Sequence, residues 1–454
     1  MELFKPVDSK TLPSLASELA RKLESGSAAI GVVGLGYVGL PIALEFARKG
    51  YRGIGVDLDE WKVSELNAGK NYIEDLPDDE IAAFFKSGKI TASNQFSSLA
   101  GTDVIFICVP TPFNDNKDPD ISYILDAGKR IGGILKKGQL VILKSTTFPG
   151  TTENFLRPEL ESSGLKAGKD FFLAYSPERV DPGNKQWQTS NTPIVVGGID
   201  PDSTYLAALT NFRIIETIYT VTNPKIAELE KLLENIFRSV NIALVNELSL
   251  LCERMAGINI WEVIEAAGTK PFGFMKFFPG PGIGGHCIPI DPYYLSWLAR
   301  AYDFETRFIT LSANVNESMP YHVVNKVISI VASQPISLMQ SKVLVLGVAF
   351  KKNVKDLRHS PAEPVMRLLR QSGVGTIEYS DPWVPEYKVG DMVYSSVPLD
   401  AGRIGSYDCV LVVTDHDAFD KDLILKNARN IVDTRNLFRN VVGDRSKIVL
   451  LGQN

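Results

Sequence analysis

Of the four cysteines in this chain, one stands in a setting suited to chemistry. Cys287 lies in Gly280-Pro281-Gly282-Ile283-Gly284-Gly285-His286-Cys287-Ile288-Pro289-Ile290-Asp291, with a carboxylate four residues beyond the thiol. Glycines let backbone amides turn inward and approach a reacting oxygen closely. Prolines stiffen the path and bar a helix. A thiol so placed reads as a nucleophile. The other three read as packing, because free cysteine is often buried. Cys108 closes the apolar run 103–108, Cys252 falls in a long helical stretch, and Cys409 lies within the apolar run 407–413.

Four further groups of residues carry chemistry-bearing side chains. Lys231, Asn235 and Arg238 recur at helical spacing, within about 60° of one another at ~100° per residue. An amide between two cations, with no carboxylate in the row, suits an anion; a solvated stripe is the alternative. Glu178 and Arg179 stand between Pro177 and Pro182 in a loop, where Glu178 is either a base or a solvated turn residue. Thr111 and Thr146 follow apolar runs, which suits either a ligand-binding sheet edge or ordinary turn chemistry. Lys351, Lys352, Lys355 and Arg358 put four cations into eight residues, as a phosphate site or as a solvated loop.

These residues need elements to hold them. An apolar strand from residue 28 runs into Gly34-Leu35-Gly36-Tyr37-Val38-Gly39 and then into an amphipathic helix; a second strand, 53–56, ends at Asp57. This is the dinucleotide-binding arrangement: the glycines permit a tight turn and close approach of pyrophosphate to a helix N-terminus. Asp57 is placed to accept from a ribose diol and repels a 2′-phosphate, which favours NAD over NADP. Further strands are expected at 103–109, 139–143, 171–175, 193–197 and 212–215. A long helix follows over 224–255, then helices at 260–267, 293–301 and 309–332. A second α/β unit has strands at 342–347, 377–380, 410–414 and 430–432. Leu12, Leu15, Leu19 and Leu23 predict a short helix before the first strand. The expected fold class is α/β, with two Rossmann-like doubly wound lobes joined by a central long helix and a helical middle domain. The expected divisions are 1–27, a docking helix; 28–220, the dinucleotide lobe; 221–335, the helical and dimerising middle with the cysteine loop; and 336–454, the second lobe.

Composition narrows the class. The chain has 454 residues, which suggests two or three domains. A net charge of −5 argues against a general nucleic-acid surface. Four cysteines without metal-type spacing and four scattered histidines point to a reducing compartment and to no metal site. No apolar run approaches the ~20 residues a membrane helix needs, and no signal-peptide pattern opens the chain. Cytoplasm is the expected location.

Taken together, the motifs resemble those of the UDP-sugar 6-dehydrogenases, the nucleotide-sugar dehydrogenases that oxidise UDP-glucose, UDP-N-acetylglucosamine or UDP-N-acetylmannosamine to uronic acids. The resemblance runs from about residue 28 to near the end. Its most specific piece is Gly284-Gly285-His286-Cys287 with Asp291. It is supported by Gly34/Gly36/Gly39, Pro110-Thr111-Pro112, Ser145-Thr146, Pro177-Glu178-Arg179, Lys231/Asn235/Arg238, and Phe350-Lys351 with Asp356, Arg358, Ser360 and Pro361. Thr269 to Phe274, Phe277 to Gly282 and Pro177 to Gly183 look most like the UDP-N-acetylglucosamine branch.

The resemblance implies a four-electron oxidation with two NAD+ per sugar, supplying a precursor of a surface polysaccharide. Cys287 would be the nucleophile and Lys231, helped by Asn235, the oxyanion stabiliser. Asp291 and Thr146 would position water, and Glu178 would act as base for hydrolysis. Gly34, Gly36, Tyr37, Val38, Gly39, Asp57, Lys62, Thr111, Thr146 and Arg358 would hold NAD. Glu178, Arg179, Val180, Lys231, Asn235, Arg238, Gly284, Phe350 and Lys351 would hold the UDP-sugar. His286 is not expected to be a base. A homodimer or higher homo-oligomer is implied, without nucleic acid or membrane. UDP-glucose and UDP-N-acetylmannosamine remain alternative substrates. More remote readings are a two-electron hydroxy-acid dehydrogenase and a non-catalytic NAD-binding protein.

Overall fold

The computed structural model describes residues 1–73, 76–114, 117–180, 184, 186–285, 288 and 290–454. Cys287, the expected nucleophile, lies outside the described residues, as do His286, Pro289 and the Asp181-Pro182-Gly183 segment. The chain divides into two compact units, Met1–Glu234 with Tyr293–Tyr302, and Asn235–Pro292 with Asp303–Asn454.

The first unit contains β1 (Glu2–Leu3), α1 (Ser14–Ser25), β2 (Ala29–Val33), α2 (Gly39–Arg48), β3 (Arg52–Val56), α3 (Glu60–Asn67), α4 (Asp78–Lys86), β4 (Ile90–Ser93), β5 (Val104–Ile107), α5 (Ser122–Gly132), β6 (Leu140–Leu143), α6 (Arg157–Glu161), β7 (Phe172–Tyr175), β8 (Ile194–Gly198), α7 (Pro201–Phe212) and β9 (Ile218–Thr220). Its described strands form one sheet in the order β1-β9-β8-β7-β6-β5-β2-β3-β4. The run β4-β3-β2-β5-β6-β7 is parallel throughout. That is the doubly wound dinucleotide-binding order, whose direction reverses between β2 and β5. Side chains alternate between two cores, as the two-residue period of a strand requires. Val32, Phe106 and Ile142 face one core, and Val33, Ile107 and Leu143 the other.

One strand falls elsewhere than expected. Residues 212–215 are not extended: Phe212 ends α7, and Ile214 and Ile215 close its last turn by donating to the Asn211 carbonyl. The helix starts where Asp200 caps it and Pro201 takes the first turn. Its end buries Ile214 and Ile215, and the strand begins only at Ile218.

The 29-residue α8 (Pro224–Cys252) follows, then α9 (Ile260–Ala267), α10 (Asp291–Ala299) and α11 (Arg307–Ala332). The rest of the second unit is β10 (Lys342–Leu346), α12 (Ala362–Gln371), β11 (Thr376–Ser380), β12 (Glu386–Val389), β13 (Met392–Ser395), α13 (Ala401–Gly405), β14 (Cys409–Val412), α14 (Lys421–Asn427), β15 (Ile431–Asp433) and β16 (Ile448–Leu450). Its all-parallel sheet runs β11-β10-β14-β15-β16, beside the β12–β13 hairpin. This is the second common doubly wound order, and it reverses between β10 and β14. The C-terminal residues turn back onto α9. Gly452 accepts from the Ile260 N–H, Leu451 accepts from the Trp261 indole at 2.8 Å, and the Gly452 N–H donates to Glu253 at 2.9 Å.

Candidate functional site

In the first unit the chemistry gathers at the carboxyl ends of β2, β3, β5, β6 and β7. Gly34 has φ +91°, and a Cβ there would lie 2.6 Å from the Cys108 carbonyl oxygen. A Cβ on Gly39, the first residue of α2, would lie 1.9 Å from the Gly34 oxygen. Gly36 differs: a Cβ there meets nothing within 4 Å, so the protein itself leaves room. The turn is thus folded tightly enough to aim the α2 N-terminus at a phosphate, and the residues fit a dinucleotide. Asp57 Oδ2 accepts from the Leu35 N–H at 2.8 Å, and Lys62 Nζ stands 3.5 Å from the same oxygen. Tyr37 is exposed, whereas Val38 packs against the core.

Thr111 is buried; its hydroxyl donates to the Thr146 carbonyl at 2.7 Å, and its own carbonyl accepts from the Tyr294 hydroxyl. Thr146 is half-buried. Beside it sits Lys144, the residue directly after β6. It is 2% exposed, with Nζ 3.7 Å from Glu178 Oε2. The other Glu178 oxygen accepts from the Arg179 and Val180 N–H groups at 2.9 and 3.0 Å. The carboxylate is therefore held at both oxygens. Burial pushes the Cys108 thiol up to about 12; Lys144 counters this and Glu178 adds to it. Such a thiol is inert, as a packing residue should be.

Arg179 reaches α8. Its guanidinium donates to the Pro193 carbonyl at 2.9 Å and to both Glu230 and Glu234. Lys231, between those two glutamates in sequence, is buried. A buried Glu228 one turn earlier accepts from the Gly150 N–H at 2.5 Å and from the Thr152 N–H and hydroxyl at 2.8 and 2.7 Å. A sequence shows Glu228, Glu230 and Glu234 only as ordinary helix-surface acids; their partners lie 51 to 78 residues away.

In the second unit, buried Asn235 donates to buried Asp291 Oδ2 at 2.5 Å. The expected anion row on α8 does not share one environment: Lys231 and Asn235 are buried while Arg238 is exposed. Seven residues of helix advance about 10 Å, enough for the same face to pass from cover to solvent.

The segment leading to Cys287 is tied down before it reaches the thiol. The Gly280 N–H donates to Asn246 at 3.0 Å, and Asn246 donates to Asn316 at 2.9 Å. A Cβ on Gly280 would strike the Arg435 guanidinium at 2.5 Å, and one on Gly284 the Phe350 Cβ at 2.7 Å. The Gly285 N–H donates to the Arg358 carbonyl at 2.9 Å. Arg358 is turned onto Asp356 in a fork at 2.5 to 3.0 Å, and Lys352 stands 3.3 Å from Asp417. Arg435 was not singled out from the sequence. Its position just past the end of β15, at a sheet's carboxyl edge, is the signal that was there to read.

Models of three consecutive domains match the chain. They are described as the NAD binding, central and UDP binding domains of the UDP-glucose/GDP-mannose dehydrogenase family, at residues 28–222, 225–318 and 344–440. The chain belongs to the UDP-glucose/GDP-mannose dehydrogenase family. It is an NAD-linked nucleotide-sugar dehydrogenase. A UDP-N-acetyl-D-glucosamine 6-dehydrogenase of Pseudomonas aeruginosa is 35% identical over 88% of this chain and 93% of its own. A UDP-N-acetyl-D-mannosamine dehydrogenase of Pyrococcus horikoshii is 34% identical over 90% and 96%. The solved structure of a UDP-D-ManNAc dehydrogenase from Pyrococcus horikoshii superposes with a TM-score of 0.84, at 32% identity over 94% of this chain and 99% of that one. No helix among the described residues is long and apolar enough to cross a membrane.

Proposed function

We propose that this dehydrogenase oxidises C6 of a UDP-N-acetylhexosamine, preferentially UDP-N-acetylglucosamine, from alcohol to carboxylate through a covalent intermediate on Cys287. The observation that carries the reading is the buried Asn235–Asp291 hydrogen bond. It joins two of the expected catalytic residues, 56 positions apart, and Asp291 lies four residues past the thiol.

NAD+ supplies the hydride acceptor, once for each of the two oxidations. The protein's own residues do the rest. The C6 hydroxyl loses its proton to a water positioned by Asp291 and Thr146, while Lys231 steadies the oxygen as it becomes negative. The Cys287 thiolate then adds to the aldehyde carbon, and the carbonyl oxygen becomes a thiohemiacetal oxygen beside Lys231 and Asn235. Loss of the second hydride from that carbon leaves a thioester. A water deprotonated by Glu178 attacks it, the carbon–sulfur bond breaks, and uronate and thiol are released. Asp57 would take the ribose diol and Arg358 the pyrophosphate; Arg179, Val180, Arg238, Gly284, Phe350 and Lys351 would line the UDP-sugar.

The test is NADH formed per sugar, measured across UDP-glucose, UDP-GlcNAc, UDP-GalNAc and UDP-ManNAc. Two NADH per sugar and the highest kcat/KM on UDP-GlcNAc are expected. One NADH per sugar would overturn the four-electron scheme. Cys287→Ser should form at most one turnover's worth of NADH, and near-normal uronate release from it would refute the covalent step. UDP-N-acetylmannosamine is the second reading, favoured by the Pyrococcus relative; a higher kcat/KM on that sugar would establish it.

A second copy of this chain is the proposed cover for one face of α8. Ile226, Leu229, Leu233, Phe237, Leu244 and Leu248 are exposed and recur at helical spacing. A monomer by light scattering at micromolar concentration would rule this out.

A further inference from the structure

We propose that His416 is a positioning residue for nucleotide binding: through Asn353 and Asp381 it holds the 348–360 loop in its ligand-ready shape. The inference rests on the reading of that loop, which carries Phe350 and Lys351, as the UDP-binding segment.

The topology places three loops together where the second sheet reverses order. One follows β10, one follows β11 and one follows β14. In open sheets of this kind, ligands bind outside the carboxyl ends of the strands at that reversal. Close approach is built in. Gly347, at the end of β10, has φ +77°, and a Cβ there would lie 2.5 Å from the Thr414 carbonyl oxygen. The buried Thr414 hydroxyl donates to the Ala349 carbonyl at 2.6 Å.

His416 completes the fastening. It is fully buried, with its ring edge-on to Phe419 at 5.5 Å. Its Nδ1 accepts from the Asn353 N–H at 2.9 Å. An acceptor nitrogen carries no proton, so the hydrogen is on Nε2, which donates to Asp381 Oδ2 at 3.0 Å. The same Asp381 oxygen accepts from the Val348 and Ala349 N–H groups at 2.7 and 3.1 Å. One imidazole thus ties the start of the loop, through Asp381, to its midpoint at Asn353. Burial alone would raise the Asp381 carboxyl; His416 and the backbone N–H groups outweigh it and hold the carboxyl below its ordinary range.

From outside, Asn353 is fixed a second time. Its side chain donates to Asp417 at 2.6 Å and accepts from the Asp417 N–H at 3.0 Å. Asn353 has φ +61°, a left-handed conformation that needs such support in a residue with a Cβ. The loop then closes on itself where Phe350 donates to the Asp356 carbonyl at 2.9 Å. A core histidine needing only a partner would find one in Asp381 alone. Accepting a loop amide from Asn353, between Lys351 and Lys355, is the added feature.

The experiment measures UDP binding by titration calorimetry together with KM and kcat for the UDP-sugar. In His416→Gln the amide can still reach Asp381, but the acceptor for the Asn353 N–H is lost. In His416→Asn an acceptor near Nδ1 is kept. His416→Gln is expected to weaken UDP binding and raise KM by about tenfold with kcat within about twofold, and to lower Tm modestly, because one buried donor has lost its acceptor. His416→Asn is expected to recover most of the loss. Wild-type UDP affinity in His416→Gln would overturn the inference. If core substitutions fail to fold, the exposed Asp417→Ala decides: several-fold weaker UDP binding is expected, and unchanged binding overturns the proposal. A wild-type protein that binds no UDP would overturn the reading of the loop itself, and the inference with it.

Discussion

Replacing Glu230 by glutamine is expected to raise the thermal stability of this protein at about pH 8 and leave it unchanged near pH 5. Glu230 and Glu234 lie one turn apart on α8 and share one partner, the Arg179 guanidinium. A single positive charge cannot compensate two negative ones, and the site is largely covered. Burial, then the neighbouring Glu234, push the Glu230 carboxyl up to about 7, against the pull of Arg179.

The sign follows from linkage. An acid that holds its proton more tightly in the folded state favours folding while protonated. Its contribution to stability therefore falls as pH rises from about 4.5 to about 7. Moving the carboxyl from its ordinary 4.5 to about 7 corresponds to a ceiling of about 3 kcal/mol. The Glu230 side chain is 22% exposed, and solvent screening brings the expected penalty to about 1–2 kcal/mol. At about 2.1 cal/mol/K of unfolding entropy per residue, over 454 residues that is about 1–2 °C. The assay is thermal unfolding followed by circular dichroism in buffers at about pH 5 and pH 8. Glu230→Gln should gain those degrees only at the higher pH, and Glu234→Gln should move in the same direction because either member can hold the shared proton. If wild type and Glu230→Gln show the same pH dependence over this range, the shared-proton reasoning is wrong.

Gly39→Ala should abolish detectable NAD binding, because its Cβ would fall on the backbone oxygen of Gly34. Gly36→Ala should keep the wild-type Tm yet lose at least tenfold in NAD affinity by fluorescence titration, since space there is left for a ligand and not filled by the protein; unchanged affinity would mean that the dinucleotide does not approach Gly36. Glu228→Gln should lower stability by about 2–3 kcal/mol, read as a drop in Tm, because an amide N–H₂ would face donors from Gly150 or Thr152.

Much of this was legible from the sequence because it is local. The continuous apolar runs marked β2, β5, β6 and β10, since each strand buries both faces. The turn at Gly34 to Gly39 is written in residues that only that geometry requires. The slip at 212–215 arose because three apolar residues look alike whether they end a helix or begin a strand; only the cap at Asp200, twelve residues earlier, distinguishes the cases. The clamps on the candidate site were not legible. Glu178 is held by Lys144, Arg179 by Glu230 and Glu234, and His416 by Asp381, across 34 to 55 positions that no local pattern records. A buried lysine directly after an apolar strand was the one hint available. The row Lys231, Asn235, Arg238 was correctly placed on one helix, but periodicity says nothing of what covers each turn.

The return of the last residues onto α9 bears on how the protein should be handled. Gly452 and Leu451 are stitched to Ile260, Trp261 and Glu253 by hydrogen bonds, two of them at 2.8 and 2.9 Å. The tail is therefore mortar, and an affinity handle or dye attached there would press on a seam that a loose terminus would not have. Clipping the chain after residue 449 should leave an unfilled groove beside Trp261, whose fluorescence would then shift to the red as water reaches the indole.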